Sequence, residues 1–123
     1  MYAKTTLQES SFSLALHIIS TYKYLTEDVR EYIMSKQLLR SGTAVGAMIR
    51  EAQNAESKND FIHKLAVAQK ECDESLYWLE LLKASGYLPE DNGSTIIVET
   101  QRDAQHDQKR NTYNEAQIST EPY

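Results

Sequence analysis

The residues best suited to metal chemistry are acidic and histidine side chains in the middle of the chain. They are Asp60, His63, Glu71 and Glu74. A di-iron helical bundle needs two Glu-x-x-His pairs and two further glutamates that all point inward. No second histidine has the required spacing, because His17 and His106 stand alone. We therefore expect no metal site and no cofactor.

The sequence also lacks a pattern for covalent catalysis. Cys72 is the single cysteine, which excludes an internal disulfide, and it lies on an apolar helical stripe where a thiol behaves as a small hydrophobe. No Cys/His or Ser/His/Asp arrangement is present, and no glycine-rich phosphate-binding loop follows a strand. We expect a protein that is not an enzyme and has no small-molecule substrate.

Charged residues could instead bind nucleic acid or pair with one another. The chain has 13 Lys and Arg against 18 Asp and Glu, but residues 88–123 hold seven of the acids, so the rest is nearly neutral. A surface that binds nucleic acid must be basic to attract the phosphates. The candidate residues for such a surface are Lys36, Arg40, Arg50, Lys58 and Lys64. Three acids, Glu51, Glu71 and Glu74, form a candidate ion-pair cluster with Arg40 or Arg50. We expect ion pairing to be the main role of these acids.

Three segments have the three-and-four spacing of apolar residues that is typical of helices. With two prolines and four glycines in the chain, long helices are the simplest arrangement, and we expect them at about residues 10–25, 27–54 and 57–84. The predicted N-caps are Ser10 or Ser11, Thr26 and Ser57. Gly86 is predicted to end the third helix in a left-handed conformation.

The apolar stripes of these helices form the predicted core. The first stripe comprises Phe12, Ala15, Leu16, Ile19, Tyr22 and Leu25. The second comprises Val29, Ile33, Leu38, Val45, Ile49 and Ala52. The third comprises Phe61, Leu65, Ala68, Cys72, Leu76, Leu79 and Leu82. Three such helices with short breaks indicate an antiparallel bundle.

The segment SGTAVGAMIREA, residues 41–52, places two glycines within the second stripe. Each glycine lowers helix propensity by about 1 kcal/mol relative to alanine, and close approach of another helix offsets that loss. We predict a helix-packing motif made of Ser41, Gly42, Val45, Gly46 and Ile49.

The segment SKQLLRSGTAVGAMIREAQNAESKNDFIHKLAVAQKECDESLYWLELL, residues 35–82, resembles the bacterial four-helix bundle proteins encoded by intervening sequences of 23S rRNA genes. The matching positions in the second helix are Gln37, Leu38, Arg40, Ser41, Gly42, Val45, Gly46, Ile49, Glu51 and Ala52. Those in the third helix are Phe61, Ile62, Leu65, Ala68, Glu71, Glu74 and Leu79. The resemblance implies an all-α, antiparallel up-down four-helix bundle that assembles into a homo-oligomeric ring, commonly a pentamer. A more distant relative, the accessory variability determinant of diversity-generating retroelements, associates with nucleic acid and a reverse transcriptase.

Residues 89–123 depart from this pattern, because few of them are apolar. We expect a weak or degenerate fourth helix or a disordered polar C-terminal tail, after a helical bundle core at residues 1–88. The helices would then bury their remaining apolar surface between protomers.

These features predict a non-enzymatic, self-associating bundle that acts as an interaction or accessory module. The alternative is an RNA- or DNA-binding protein linked to ribosomal RNA intervening sequences or a retroelement reverse transcriptase. The N-terminus has no signal-peptide layout and the apolar runs are short, so we expect a cytoplasmic protein without membrane contact.

Overall fold

The computed structural model describes residues 6–89 and Arg102. Residues 6–89 are helical, without strands, and comprise α1 (Leu7–Tyr24), α2 (Met34–Gln53) and α3 (Lys58–Ala84). A π-helical turn, Leu25–Val29, continues α1. The predicted fourth helix and polar tail fall almost entirely on residues outside this part of the chain.

The first helix begins earlier than the sequence predicted. Thr6 is its N-cap, and its hydroxyl accepts a hydrogen bond from the backbone N–H of Glu9 at 3.1 Å. The Glu9 carboxylate accepts one from the backbone N–H of Thr6 at 3.1 Å, which completes a capping box. Ser10 and Ser11 are therefore inside the helix, where each hydroxyl donates to a carbonyl three residues earlier.

The predicted start of the second helix at Thr26 is wrong. The Thr26 hydroxyl donates to the carbonyl of Tyr22 at 2.9 Å, so this residue extends α1 instead of capping α2. The chain turns at Arg30, whose φ of 65° is left-handed. The buried Glu31 carboxylate then accepts hydrogen bonds from three successive backbone N–H groups, those of Ile33, Met34 and Ser35, at 2.7 to 3.1 Å. Because this carboxylate satisfies the first amides, α2 begins at Met34.

Both predicted boundaries of the third helix are confirmed. The Ser57 hydroxyl accepts a hydrogen bond from the backbone N–H of Asp60 at 3.0 Å. At the other end Gly86 has a φ of +88°, a conformation that glycine adopts without a steric penalty. The backbone N–H of Tyr87 donates to the carbonyl of Leu82, which closes the last turn.

The second helix is central to the packing, because it contacts both α1 and α3 while those two helices make little contact with each other. The buried apolar residues form one core cluster. They are Leu14, Ile18, Leu25, Leu38, Val45, Ile49, Ala52, Leu65, Ala68, Cys72, Leu79, Leu82 and Leu88. The α2 and α3 stripes thus lie inward largely as the periodicity indicated, although Phe61 and Leu76 are only half-buried and Ile33, just before α2, is 77% exposed.

The predicted inward face of the first helix is wrong at Phe12, Leu16 and Ile19, although Leu25, the last member of that stripe, is buried. Ser11, Leu14, Ile18 and Thr21 are buried, whereas Phe12, Leu16 and Ile19 are 58%, 54% and 37% exposed. The reason is steric, because the glycines of α2 bring the two backbones close together. A face with small residues such as Ser11 fits this contact, and a face carrying Phe12 and Leu16 would not. Three large apolar side chains of α1 therefore lie on the surface.

Candidate functional site

The two glycines of the predicted motif lie in the contact between α1 and α2. A Cβ atom at position 42 would lie 2.6 Å from Cγ1 of Ile18, so only glycine fits there without movement. A Cβ atom at position 46 would lie 3.5 Å from the backbone oxygen and hydroxyl of Ser11, an ordinary contact distance. The other members of the motif, Ser41, Val45 and Ile49, are buried. Close approach thus depends on Gly42 far more than on Gly46.

The surface of α1 carries a row of exposed side chains with heptad spacing, which we call the α1 seam. Its members are Glu9, Phe12, Leu16, Ile19 and Lys23, separated by three, four, three and four residues. This spacing places them on one side of a helix. Three large apolar side chains thus lie in solvent between an acid at the start of α1 and a base at its end.

A groove of about 380 Å³ lies beside the seam, between α1 and α2. We call it the α1–α2 groove. It is lined by Gln8, Ser11, Phe12, Ala15, Thr43, Gly46, Ala47, Arg50 and Glu51. Phe12 belongs to both the groove and the seam. The lining is mainly apolar or small, and its charged residues are Arg50 and Glu51, neighbours near the end of α2.

The predicted ion-pair cluster divides into two separate contacts between α2 and α3. Arg40 pairs with Glu74 and, at 3.5 Å, with Glu71. Glu51 lies three turns further along α2 and pairs with Lys64 at 3.0 Å. Of the two arginines that were alternatives for pairing with these acids, Arg40 is the one that pairs, and Arg50 forms no salt bridge within residues 6–89.

The Arg40 contact also includes an aromatic residue that the sequence did not indicate. The indole N–H of Trp78 donates to the Glu74 carboxylate at 3.1 Å. This bond and the one from Arg40 lower the pKa of Glu74, and the hydrogen bond to Glu74 raises the pKa of Arg40. Since the Arg40 side chain is half exposed, the pairing orients side chains more than it stabilises the fold.

Directly beneath this network, the hydroxyls of Ser41 and Ser75 hydrogen-bond at 2.8 Å. Both residues are buried. Ser41 was predicted as a packing residue, but its pairing with Ser75 was not. The sequence did contain a signal for this pair. One serine interrupts the apolar stripe of each helix, at positions that antiparallel packing brings together.

The five candidate cations do not form one free basic face. Arg40 and Lys64 are bound to carboxylates. Lys36, Arg50 and Lys58 are exposed, and in residues 6–89 none of these three has an ion-pair partner. Two of the five candidate cations are thus already paired with carboxylates.

The residues considered for metal or thiol chemistry have other roles. Glu71 and Glu74 contact Arg40, and the Asp60 carboxylate accepts a hydrogen bond from the backbone N–H of Glu56. In the part that the structure describes, no group of three or more His, Cys, Asp or Glu residues is arranged to hold a metal ion. Burial raises the pKa of Cys72 to about 12, so the thiol is protonated at neutral pH. None of the described helices has the length and apolar character needed to span a bilayer.

Sequence comparison identifies the family to which this three-helix arrangement belongs. The sequence model of a family described as "23S rRNA-intervening sequence protein" matches residues 4–106. The chain belongs to the 23S rRNA-intervening sequence protein family. The resemblance noted from residues 35–82 is thereby confirmed, and the family match extends past α3 into the polar segment.

A solved structure with a similar fold supports the helical arrangement. It is that of a protein of unknown function from the S23 ribosomal protein family of Bacteroides thetaiotaomicron VPI-5482, 40% identical in sequence, with a TM-score of 0.81. The alignment covers 84% of the present chain and 95% of the other. No curated protein gives a significant match. The 23S rRNA-intervening sequence family therefore explains the helical fold without supplying a biochemical role.

Proposed function

We propose that this protein is a non-enzymatic helical module that acts by associating with further copies of itself. The observation that supports the proposal is the α1 seam, where Phe12, Leu16 and Ile19 are exposed at heptad spacing. The outward side of a surface helix is normally polar, and contiguous exposed apolar side chains typically mark an interaction surface. Heptad spacing is the arrangement by which helices of separate chains pack together.

The proposal includes a ring of copies, commonly five in the family that the sequence resembles, and a cytoplasmic location. Nucleic-acid binding is the alternative. It is supported by two family names, because the name of this chain's family refers to ribosomal RNA and that of the Bacteroides protein refers to a ribosomal protein. We favour self-association, because Arg40 and Lys64 already pair with carboxylates and thus have less charge to offer phosphates.

Sedimentation velocity at micromolar concentration tests the proposal. The unmodified protein should sediment as an oligomer, and Leu16→Glu should sediment as a monomer because it places a charge in the middle of the seam. Ile33→Glu is the matched control, since Ile33 is also exposed but lies outside the seam, and its oligomer should persist. An unmodified protein that remains monomeric would contradict the proposal.

A further inference from the structure

We propose that the α1–α2 groove receives α1 of a second copy, which lies parallel to the receiving α1 and places its Glu9 against Arg50. The proposal rests on the self-association proposed above and names the two surfaces that meet. One is the α1 seam of the incoming copy, and the other is the groove of the receiving copy.

The shape of the groove suits a helix ridge. Gly46 has no side chain to fill the space, and Ala15 and Ala47 contribute only methyl groups to the lining. Large side chains on one helix pack into such depressions between the residues of another. Phe12 is the largest apolar side chain of the seam, and a volume of about 380 Å³ accommodates its ring together with part of a neighbouring side chain.

Charge selects which helix enters. Arg50 lies at the groove, is exposed, and has no salt bridge within residues 6–89, while the adjacent Glu51 is neutralised by Lys64 at 3.0 Å. The groove therefore presents to an incoming acid a cation that forms no salt bridge within residues 6–89, although Glu56 and Asp60 line an adjoining pocket with Arg50. The α1 seam begins with such an acid, because hydrogen bonds from the Thr6 backbone and hydroxyl lower the pKa of Glu9 and keep it ionised. Those bonds go to Oε1, so Oε2 is available to Arg50.

The spacing along the two helices also matches. Glu9 and Leu16 are seven residues apart on α1, and Arg50 and Thr43 are seven residues apart on α2, which is about 10.5 Å in each case. The contacts of Gly42 with Ile18 and of Gly46 with Ser11 show that α1 and α2 are antiparallel.

The direction of the incoming helix follows from this geometry. A helix parallel to the receiving α1 places its Glu9 at Arg50, its Phe12 near Ala47 and its Leu16 at Thr43. The reversed direction would bring Lys23 towards Arg50, and two like charges would meet. The parallel direction is therefore favoured.

Because the seam of one copy meets the groove of the next, the contact is heterologous. Repeating a heterologous contact generates a closed ring when the rotation closes and a filament when it does not. A two-fold dimer is not the product of this arrangement.

Charge variants of the full chain test the site by sedimentation equilibrium. Arg50→Glu should weaken association about tenfold or more, as expected when a close interfacial charge pair is disrupted. Glu9→Gln should also weaken it, and glutamine retains the capping box, so α1 keeps its N-terminus. Combining Arg50→Glu with Glu9→Lys should restore association relative to Arg50→Glu alone. Lys58→Glu is the control, because it reverses an exposed charge away from the groove and should leave association unchanged.

The outcomes separate this site from the broader proposal. If Leu16→Glu dissociates the oligomer but Arg50→Glu and Glu9→Gln do not, self-association stands and the groove assignment is overturned. If the combined variant shows no recovery while circular dichroism shows intact helices, the pairing of Glu9 with Arg50 is overturned. If the unmodified chain is monomeric, both proposals fail.

Discussion

The hydroxyls of Ser41 and Ser75 hydrogen-bond to each other at 2.8 Å inside the contact between α2 and α3. Each serine is surrounded by apolar core residues and neither is exposed. The pair is a long-range polar contact within the buried interface of two antiparallel helices, so it fixes their relative position in a way that apolar contacts alone do not.

The serine pair predicts a measurable coupling. Ser41→Ala or Ser75→Ala should each lower the free energy of unfolding by about 0.5 to 1.5 kcal/mol. The bond between the hydroxyls is lost, but the remaining hydroxyl keeps a carbonyl acceptor, that of Glu71 for Ser75 or that of Leu38 for Ser41. The double variant should lose less than the sum of the two, by about 0.5 to 1.5 kcal/mol. Urea unfolding of the four proteins measures this difference. Strictly additive losses would show that the two hydroxyls act independently.

The two glycines predict opposite responses to the same substitution. Gly42→Ala should destabilise the protein by about 1 to 3 kcal/mol, because the added methyl group overlaps the buried and rotationally restricted Ile18. Gly46→Ala should be neutral or stabilise by up to about 1 kcal/mol. The added methyl carbon would lie 3.5 Å from the nearest atoms of Ser11, an ordinary contact, and alanine favours the helix. Thermal or urea denaturation compares them directly. Equal losses at both positions would contradict this account of the α1–α2 contact.

The Glu31 carboxylate predicts an acid-sensitive second helix. Desolvation raises the pKa of Glu31, but the combined hydrogen bonds from Met34, Ser35 and Ile33 lower it below the ordinary value of 4.5. A lowered folded-state pKa stabilises the protein above the unfolded pKa, and that contribution disappears as the pH falls through the folded value. Glu31→Ala should thus cost about 1 to 2 kcal/mol at neutral pH, as other N-terminal capping losses do.

The same variant gives the pH test. The stability difference between the unmodified protein and Glu31→Ala should be constant at neutral pH and should shrink once the pH falls below about 4.5. Urea titrations from pH 7 to pH 3 would measure it. A difference that stays constant across this range would mean that the negative charge of Glu31 has no part in capping.

Cys72 predicts a thiol that reports unfolding. Because it is buried and burial raises its pKa to about 12, a maleimide or disulfide reagent at pH 7 should modify the native protein only at the rate at which the core opens. Denaturation in urea should make labelling rapid. Fast labelling of the native protein would show that the α3 face around Cys72 opens locally.

The sequence indicated the fold class and most of the inward residues of α2 and α3, because a helix packed against a broad apolar neighbour shows its buried face as a regular stripe. For α1 the same pattern was misleading. Phe12, Leu16 and Ile19 lie outward, and the buried face combines Leu14 and Ile18 with Ser11 and Thr21. Periodicity identifies an apolar side of a helix, but it does not say whether that side meets the same chain or solvent.

The start of α2 shows a second limit of local patterns. Thr26 precedes acidic residues and therefore resembles an N-cap, yet its hydroxyl donates backwards to Tyr22. The actual cap is the Glu31 side chain, which reaches forward to three amides. The left-handed conformation of Arg30, in a residue type that rarely adopts it, sets this turn, and no simple sequence signal marks that choice.

The charged site was predicted in part. Arg40 or Arg50 was expected near the acids, because α2 and α3 were predicted to run antiparallel. Arg40 pairs with Glu71 and Glu74. Glu51 was grouped with those acids, but about three helical turns separate it from Arg40, and it pairs with Lys64 instead. Within residues 6–89 Arg50 forms no salt bridge, and no pattern in the sequence distinguishes it from Arg40 in this respect.

In the described part of the chain, extensive packing occurs between helices that follow one another, with α2 contacting both neighbours. The residues that must meet during folding are thus close along the chain, which keeps the entropy of loop closure small. Helical proteins with such local contacts fold in about microseconds to milliseconds. Folding can begin with the α1–α2 pair or with the α2–α3 pair. The third helix then packs against α2, which is already folded.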